Sequence, residues 1–543
     1  MSNRKYLGIA IALHLLGCSM AGNILALMGM TSHSHHIWNS VLLYELAERG
    51  HNLTILSVNL PRANDKVPAN VNYIYLERAY DFYTDDNDKI DINSFIGIGS
   101  YETIPILYKF GVKTAEFITL SKGLQQLLDY PDDFKFDVII NDYTMGPYLL
   151  GFVHKFNYPP VIGITAFHNK PLVLDFMSNS YFPALIPYYS TLYTPKMNFF
   201  QRFDNTLIFA LDTIYRRLYY NPKLDEIMRP FFGADMPPLS ELAKLTKISL
   251  INTHPATDYV ESLPPNIIEI GGMQGRPGKP LPTDLDQFMR GGKRGAILFS
   301  LGTNMLPHNV DRETKLKIVE AFRQLPEYNF IWKFDNEYLK DVKVPRNVLV
   351  RDFLPQRDIL AHESLTLFVS HCGGLSTQEA TWHGVPLVGI PLFLDQYRVS
   401  LQRKLRIFPY PQLFVQNLLQ TIGSGAAVQV DYLKMTTDSL VSAIREVTEN
   451  ERYSKAMKLR SKRFRDNPVP PLELAVWWVE YLMRHPDPVH LHSEAKELNY
   501  FQTHSLDVLA VLALIPLLIL YGLSRFCRGQ GKEQQARKHR KRD

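Results

Sequence analysis

The residues best suited to bind a charged ligand lie within one stretch, residues 368–396. His371 and a pair of glycines come early in it, and Ser376 and Glu379 follow within a few positions. Glycines let the backbone approach a ligand closely, and the free amides and dipole of a helix N-terminus attract phosphate. A carboxylate one turn into such a helix is placed to accept hydrogen bonds from a ribose diol. The stretch therefore predicts a site for phosphate and ribose.

The elements that would position these residues follow from the apolar pattern. The run Leu365–Ser370 predicts a buried strand, residues 376–383 a short helix, and residues 386–390 a second strand. Strand, glycine loop, helix and strand form a βαβ unit whose helix N-terminus faces a crevice. Spacing alone leaves an ordinary turn equally open, because a Ser followed by a Glu three residues later is also a capping box.

The stretch resembles the signature of the UDP-glycosyltransferase family. The resemblance is carried by the run HGVPLVGIP and by His371, Gly373, Ser376, Glu379, Asp395 and Gln396. Cys372 departs from the signature, since animal members usually carry glycine there, and the change is tolerable if the backbone stays in an allowed region. The resemblance implies an α/β fold of the GT-B type, with two Rossmann-like doubly wound domains.

The same resemblance implies a donor site for a UDP-sugar, with no cofactor and no metal ion. The uracil would stack on Phe353, where the family commonly has Trp, and Gln356 would bind its edge. Asp395 and Gln396 would hold the sugar hydroxyls, and because neither is cationic, glucose is favoured over a uronic acid. The implied donor-binding residues are Ser300, Gly302, Thr303, Phe353, Gln356, His371, Gly373, Ser376, Thr377, Glu379, Asp395 and Gln396.

Three histidines lie between a predicted strand, residues 23–30, and a predicted helix, residues 37–49. A metal cluster is one interpretation, but neither cysteine nor carboxylate accompanies them. The family resemblance selects His35 as the general base, and a helix N-terminus disfavours imidazolium, which would keep it neutral. His33 and His36 are expected to be solvated loop residues.

A carboxylate that could orient this base follows the apolar run of residues 136–141. Asp142 ends that predicted strand, and such an Asp is usually a turn or cap residue. The resemblance implies instead that Asp142 orients His35, as the carboxylate of a hydrolytic triad does, but without a serine. The aromatic-rich residues 143–246 resemble the variable acceptor region of the family, and core packing is expected for most of these aromatic side chains.

Length, charge and hydropathy define the topology that we expect. The chain has 543 residues, of which 46% are hydrophobic, and a formal net charge of +5. An apolar N-terminal segment predicts a cleavable signal peptide, and a second apolar segment followed by a basic tail predicts one membrane span with a cytosolic C-terminus. This arrangement favours a single-pass type I membrane protein with a luminal catalytic part. The end of the tail, with Arg540 and Lys541, resembles a dibasic retrieval signal and favours the endoplasmic reticulum membrane. The charge gives no basic face for nucleic acid, and a homo-oligomer is compatible with the sequence.

The predicted domain boundaries follow from these segments and from the Gly- and Pro-rich linker. They are a signal peptide (1–21), an N-terminal acceptor-binding domain (22–273), a linker (274–284), a C-terminal UDP-sugar-binding domain (285–464), return helices onto the N-terminal domain (465–503), a transmembrane helix (504–524) and a basic tail (525–543).

One segment, residues 399–416, interrupts the family pattern directly after the sugar-contacting pair. Its Val-Ser start and Gln end can be encoded by splice-donor and splice-acceptor sequences. We interpret it as a retained intron translated in frame, and a natural surface loop is the alternative.

The sequence therefore predicts an inverting hexosyltransferase that moves glucose from UDP-glucose to a hydroxyl of a small lipophilic acceptor. One rival is a catalytically impaired UDP-sugar-binding protein, for example one impaired by residues 399–416. A membrane carrier or receptor is the other, but it would need further spans or a docking motif.

Overall fold

The structure is a computed structural model that describes residues 21–62, 65–83, 99–167, 171–177, 182–191, 193–302, 307–391, 415–492, 498 and 500–539. These residues form two wholly parallel sheets, each covered by helices on both faces. Near-continuous apolar strands are typical of such doubly covered sheets. The α/β fold with two Rossmann-like halves, expected from the sequence, is confirmed.

The N-terminal sheet has seven strands in the order β3-β2-β1-β4-β5-β6-β7. From β1 the chain adds strands first on one side, β2 and β3, and then on the other side, starting with β4, which pairs directly with β1. The edge between β1 and β4 is therefore a topological switch point, where such folds bind ligands. The strands are β1 Asn23–Met28, β2 Asn52–Ser57, β3 Val71–Tyr75, β4 Val138–Asp142, β5 Val161–Thr165, β6 Thr246–Ile251 and β7 Ile267–Glu269.

The helices around this sheet are α1 His33–Glu48, α2 Ser100–Ile118, α3 Lys122–Leu128, α4 Gly151–Lys155, α5 Pro171–Met177, α6 Phe199–Tyr215, α7 Asn221–Phe232 and α8 Leu239–Ala243. A π-helical turn, Arg216–Tyr220, joins α6 to α7. The predicted loop before α1 is wrong, because the helix already begins at His33, after the extended N-cap Ser32. The apolar periodicity starts only after the first turn, whose polar residues hid the true start of the helix.

The C-terminal sheet has six strands in the order β10-β9-β8-β11-β12-β13, and its switch point lies between β8 and β11. The strands are β8 Ala296–Ser300, β9 Asn329–Lys333, β10 Val348–Arg351, β11 Leu365–Ser370, β12 Leu387–Gly389 and β13 Ala427–Gln429. The helices are α9 Thr283–Arg290, α10 Arg312–Arg323, α11 Gln356–Leu360, α12 Gly374–His383, α13 Val415–Gly423, α14 Thr437–Glu449 and α15 Glu451–Arg465.

The chain then returns to the N-terminal half. Helix α16, Pro471–Arg484, buries Ala475, Val476, Val479 and Leu482 in the same apolar cluster as β1 and α1. The short helix α17, Tyr500–Thr503, precedes the long helix α18, Leu506–His539. Within α18, Leu506–Phe526 has a mean hydropathy of 2.5 and none of it is buried, so it is long and apolar enough to cross a membrane.

Most of the predicted insert lies outside the described residues. Its last two positions, 415 and 416, are the first residues of α13, which continues to Gly423. The signal peptide expected at residues 1–21 also lies outside them, except for its final residue.

Candidate active site

His35 and Asp142 meet at the switch point of the N-terminal sheet. His35 lies in the first turn of α1, and Asp142 is the last residue of β4. Their Nδ1 and Oδ2 atoms are 3.8 Å apart, an ion-pair distance too long for a hydrogen bond, and both side chains are buried. The imidazole also packs against the ring of Phe167, with ring centroids 4.8 Å apart. Because Nδ1 is turned to the carboxylate, Nε2 is the nitrogen left for a substrate.

The carboxylate of Asp142 is held by two neighbours that the sequence analysis missed. The Asn39 amide donates to Oδ2 at 2.8 Å, and the backbone N–H of Thr144 donates to Oδ1 at 3.0 Å. Burial would raise the pKa of Asp142, but His35 and Thr144 outweigh it and leave the pKa below its usual value. Asp142 therefore stays ionised. Asn39 lies four residues after His35, one turn along the same helix face, and that spacing was the available signal.

The other two histidines have separate roles. The Nδ1 atom of His33 pairs with Oδ1 of Asn59 at 2.8 Å, and the His33 side chain is exposed. Burial, with the charge of His33, lowers the pKa of His36 to about 4. Both lie in the first turn of a helix and not in a loop. Among the described residues, no group of three or more His, Cys, Asp or Glu side chains could hold a metal ion.

A largely apolar cleft with about 350 Å³ of empty space adjoins this pair. Thr144, whose amide binds Asp142, lines it together with Leu107, Tyr108, Met145, Leu172, Tyr189, Asp212 and Tyr220. Apolar walls with a few polar groups are typical of small-molecule sites.

The glycine turn at the C-terminal switch point leads directly into α12. Gly373 is the N-cap, and no side chain caps the helix, so the capping-box interpretation is wrong. Ser376 and Glu379 instead contact Gln356, whose Nε2 donates to Glu379 Oε2 at 2.7 Å and to Ser376 Oγ at 3.2 Å. Burial raises the pKa of Glu379. Gln356 of α11 thus holds together two other predicted donor residues, which lie one turn apart on α12.

Gly302, His371 and Lys333 form a second group at the same edge. Gly302 has φ +88°, and a Cβ added there would lie 2.6 Å from the His371 ring, so only glycine fits beside the imidazole. The Nζ atom of Lys333, at the end of β9, donates to the Gly302 carbonyl at 3.1 Å. Burial lowers the pKa of Lys333 to about 8. Burial, with the nearby Lys333 charge, lowers the pKa of His371 to about 4, so His371 is neutral near pH 7.

Comparison with known proteins identifies the family to which this chain belongs. The family described as UDP-glucoronosyl and UDP-glucosyl transferase matches residues 123–541. The chain belongs to this family. UDP-glucosyltransferase 2 of Dactylopius coccus is 33% identical over 517 residues, covering 94% of this chain and 93% of the relative. UDP-glucuronosyltransferase 2B7 of Homo sapiens is 27% identical over 542 residues, covering 96% of each chain.

The fold agrees with that membership. The crystal structure of the glycotransferase of kitacinnamycin covers 85% of this UDP-glycosyltransferase and 98% of its own chain, with a TM-score of 0.53 and 18% identity. The architecture is therefore that of GT-B glycosyltransferases. The enzyme transfers a sugar from a UDP-sugar to an acceptor.

The departure of this glycosyltransferase from the family signature lies in a strained position. Cys372 is fully buried and has φ +60°, in the left-handed region that glycine favours. The sequence analysis made the change depend on an allowed backbone region, and the left-handed region is open to an L-residue only at an energetic cost. The strain is accommodated by the Ser370 hydroxyl, which accepts the Cys372 N–H at 3.1 Å. Burial raises the pKa of the Cys372 thiol to about 12, so it stays protonated.

Phe353 connects the two halves of the enzyme. Its side chain is 53% exposed, and the guanidinium of Arg62 lies 4.4 Å from the ring centroid. The contact joins a residue after β2 to the loop after β10 and has the geometry of a cation–π interaction. The remaining predicted donor residues divide into two sets. Ser300 and Thr377 are buried at the edge of the site, whereas Thr303, Asp395 and Gln396 lie outside the described residues.

Proposed function

We propose that this glycosyltransferase moves glucose from UDP-glucose to a hydroxyl group of a small lipophilic acceptor, with inversion at the anomeric carbon. The observation that carries the proposal is the buried pair of His35 and Asp142, whose Nδ1 and Oδ2 atoms are 3.8 Å apart beside an apolar cleft. A second switch point, in the other sheet, carries the glycine turn for the nucleotide. The acceptor in the cleft and the donor at the turn would react between the two sheets.

In the proposed step, Nε2 of His35 takes the proton of the acceptor hydroxyl as the oxygen attacks the anomeric carbon. The new C–O bond forms while the bond from that carbon to the β-phosphate oxygen breaks, and UDP leaves with the electron pair. Asp142 stabilises the imidazolium that results. A single displacement from the opposite side inverts the anomeric centre.

The leaving diphosphate would be stabilised by groups of the C-terminal edge. Amides of the turn and the dipole of α12 favour negative charge, and neutral His371 offers a ring N–H donor. Lys333 would add a cation. Among the described residues no carboxylate lies within 4 Å of its Nζ atom, whose hydrogen bond goes to the Gly302 carbonyl. We also assign the uracil to Phe353 and the ribose to Glu379.

Glucose is chosen over a uronic acid on two grounds. The relative that is 33% identical is named a UDP-glucosyltransferase, whereas the human relative named a glucuronosyltransferase is 27% identical. The residues assigned to the sugar hydroxyls, Asp395 and Gln396, carry no positive charge. Lys333 is a cation beside Gly302 and His371, and the choice of sugar therefore needs a direct comparison of donors.

The site of action proposed is the lumen of the endoplasmic reticulum. The helix segment Leu506–Phe526 would cross the membrane, and the basic residues after it would stay in the cytosol. A lipophilic acceptor partitions into such a membrane, where the enzyme would meet it.

The alternative is a protein that binds UDP-sugar but transfers it poorly because residues 399–416 follow the sugar-contacting pair. The test compares the full chain with a chain lacking 399–416, each incubated with a panel of small phenols and either UDP-glucose or UDP-glucuronic acid. UDP release and glycoside formation are followed, and NMR of the product gives the anomeric configuration. A β-glucoside from UDP-α-glucose is expected. Glycoside formation only by the chain lacking 399–416, with UDP bound by both chains, would favour the alternative, and a uronide as the main product would overturn glucose.

A further inference from the structure

Buried hydrogen bonds connect the helix of the proposed base to the helix of the proposed donor site. The indole Nε1 of Trp38, on α1, donates to Gln274 Oε1 at 3.1 Å. Gln274 Nε2 donates to Gln378 Oε1 at 3.0 Å, and Gln378 Nε2, on α12, donates to the Asn252 carbonyl at 3.3 Å. These four residues form an amide bridge between the halves of the enzyme, and each is at most 5% exposed. Amide side chains are mostly exposed in proteins, so burying this bridge has a cost that its hydrogen bonds offset.

The indole fixes the direction of the amide bridge. An indole N–H can only donate, so the atom of Gln274 that faces Trp38 is the amide oxygen. The amide nitrogen of Gln274 must then face Gln378, whose oxygen accepts and whose nitrogen is left to donate. Reversing either amide would place two donors together and two acceptors together. A fully satisfied buried network of this kind holds its members in one relative position.

The far end of the amide bridge returns to the proposed base. Asn252 donates through its side-chain Nδ2 to the Ala166 carbonyl at 2.9 Å, and its backbone N–H donates to the Phe167 carbonyl at 3.1 Å. The Phe167 ring packs against the imidazole of His35, with centroids 4.8 Å apart. Trp38 lies three residues after His35, so the bridge starts less than one helical turn from the base. The donor-site helix therefore closes a circuit that reaches His35 from two sides.

The main chain beside the amide bridge is held against the donor site as well. The Gln274 carbonyl accepts from Arg357 Nη1 at 3.2 Å, and Arg357 Nε lies 3.8 Å from Oε1 of Glu379, the carboxylate proposed for the ribose. A Cβ added to Gly275 would clash with the Trp382 ring, so the linker packs directly on α12. Gln274 is therefore in contact with α1, α11 and α12 at once.

We propose that Gln274 is a positioning residue for sugar transfer, which sets the distance between the base on α1 and the anomeric carbon of the donor held at α12. The inference rests on the proposed function. The attacking oxygen and the anomeric carbon come from different halves of the enzyme, and reaction needs them about 3–3.5 Å apart and aligned. Since no member of the amide bridge is assigned to either substrate, breaking the bridge should disturb this alignment and leave binding intact.

The test replaces Gln274 by Met, which is similar in length but has no amide, in the full detergent-solubilised chain. Initial rates with UDP-glucose and a phenol give kcat and KM, and calorimetry gives the affinity for UDP. Free glucose is measured beside glycoside, because water that attacks the anomeric carbon in place of the acceptor gives glucose and UDP. The control is Asn70→Leu, which removes a partly buried amide that donates to the Ala47 and His51 carbonyls near the other end of α1.

We expect Gln274→Met to lower kcat for glycoside formation about tenfold, since a misplacement of about 1 Å can cost roughly 10²-fold and one missing amide shifts the helices less. The affinity for UDP and both KM values should stay unchanged, and free glucose should make up a larger share of the product. Asn70→Leu should lower the melting temperature without changing kcat or the share of glucose. A residue that only stabilises the fold would behave like this control, and such a result for Gln274→Met would overturn the inference.

A second pair of variants keeps the test valid if Gln274→Met fails to fold. Trp38→Phe removes the first donor of the amide bridge, and Gln378→Met removes its link to α12. Because both interrupt one bridge, the loss of kcat in the double variant should be smaller than the product of the two single losses. Losses that multiply would show that the two residues act independently and would overturn the inference.

The same rates separate the inference from the function on which it rests. If the unaltered chain forms no glycoside from UDP-glucose or UDP-glucuronic acid, the proposed function falls and the inference falls with it. If the unaltered chain forms glycoside and the variants of Trp38, Gln274 and Gln378 all keep its kcat, the inference alone is overturned.

Discussion

The two switch points of this enzyme contain the same type of side chain in opposite electrostatic surroundings. At the N-terminal edge, His35 lies 3.8 Å from the buried carboxylate of Asp142. At the C-terminal edge, His371 lies near Lys333, and burial with that cation lowers its pKa to about 4. Both histidines follow a parallel strand and lie beside a helix N-terminus, where the dipole disfavours a positive imidazole.

The difference lies in the neighbour that the fold supplies. A carboxylate stabilises imidazolium, so His35 can take up a proton during the reaction. A lysine and burial do the reverse, so His371 remains neutral and can only share its N–H with a leaving phosphate. In the proposed function, one fold used twice would thus supply both a base and an anion site, and the residues beside the two histidines would determine which role each has.

Replacing the proposed base, His35, should lower the rate of glycoside formation more than any other substitution considered. We expect His35→Ala to lower kcat about 10²–10⁴-fold, the usual contribution of a general base, with UDP affinity unchanged. The control is His33→Ala, which removes an exposed imidazole from the same turn and should leave kcat within a factor of about two, as is usual for exposed surface positions. Rates of glycoside formation and UDP binding by calorimetry check both. Equal loss in the two variants would contradict the assignment of His35.

Replacing Lys333 should weaken the binding of UDP and should not affect proton transfer by His35. Loss of a hydrogen bond to a charged group costs about 1.5–3 kcal/mol, so Lys333→Met should weaken UDP binding roughly 10- to 100-fold. The variant Lys333→Arg, which keeps the charge, should recover part of this loss. Calorimetric titration with UDP measures the affinity. An unchanged affinity in Lys333→Met would remove Lys333 from the donor site.

The pH dependence of UDP binding gives an independent readout. The pKa of Lys333 is lowered to about 8, so the free enzyme carries this charge below that pH and loses it above. A bound diphosphate favours the charged form, and UDP affinity should therefore fall as the pH rises through about 8. In Lys333→Met the fall over this range should be absent. A fall of the same size in both proteins would mean that another group titrates.

The helices and strands that were predicted correctly are those determined by residues close together in the sequence. The run Leu365–Ser370 was predicted as a strand with the bounds that the structure has, because its residues are mostly apolar and a glycine turn ends it. The start of α1 at His33 was missed, since the first turn of the helix is polar and the apolar pattern begins only after it. Local pattern identifies elements well and their polar ends poorly.

The residues missed at the site come together only through the order of the strands. Lys333 ends an apolar strand, where a lysine is usually solvated, and it reaches Gly302 because β9 pairs with β8. Arg62 contacts Phe353 across the two halves of the chain.

Loosening the support of the carboxylate should have a smaller effect than removing the base. Asn39→Leu removes the amide that donates to Asp142 Oδ2 at 2.8 Å, and a lost hydrogen bond of this kind should lower kcat about tenfold. Without that donor the pKa of Asp142 rises, so the acid limb of the pH–rate profile should move to higher pH. Ser40→Ala, next to it on α1, is the control for folding. A tenfold loss without movement of the acid limb would indicate a structural role only.

The smallest effect is expected at the strained turn between the two groups of donor residues. Cys372 has φ +60°, and an L-residue in this conformation costs roughly 1–2 kcal/mol that glycine does not. Cys372→Gly also removes a buried side chain, which costs about 1 kcal/mol, so the two effects nearly cancel. The apparent melting temperature of the detergent-solubilised chain should change by only a few degrees. Cys372→Val, whose branched Cβ fits this conformation worst, should lower it clearly, since such strain costs about 1–3 kcal/mol. A Val variant as stable as the Gly variant would mean that the turn adopts an ordinary backbone in solution, and that the cysteine at this position of the signature costs the enzyme nothing.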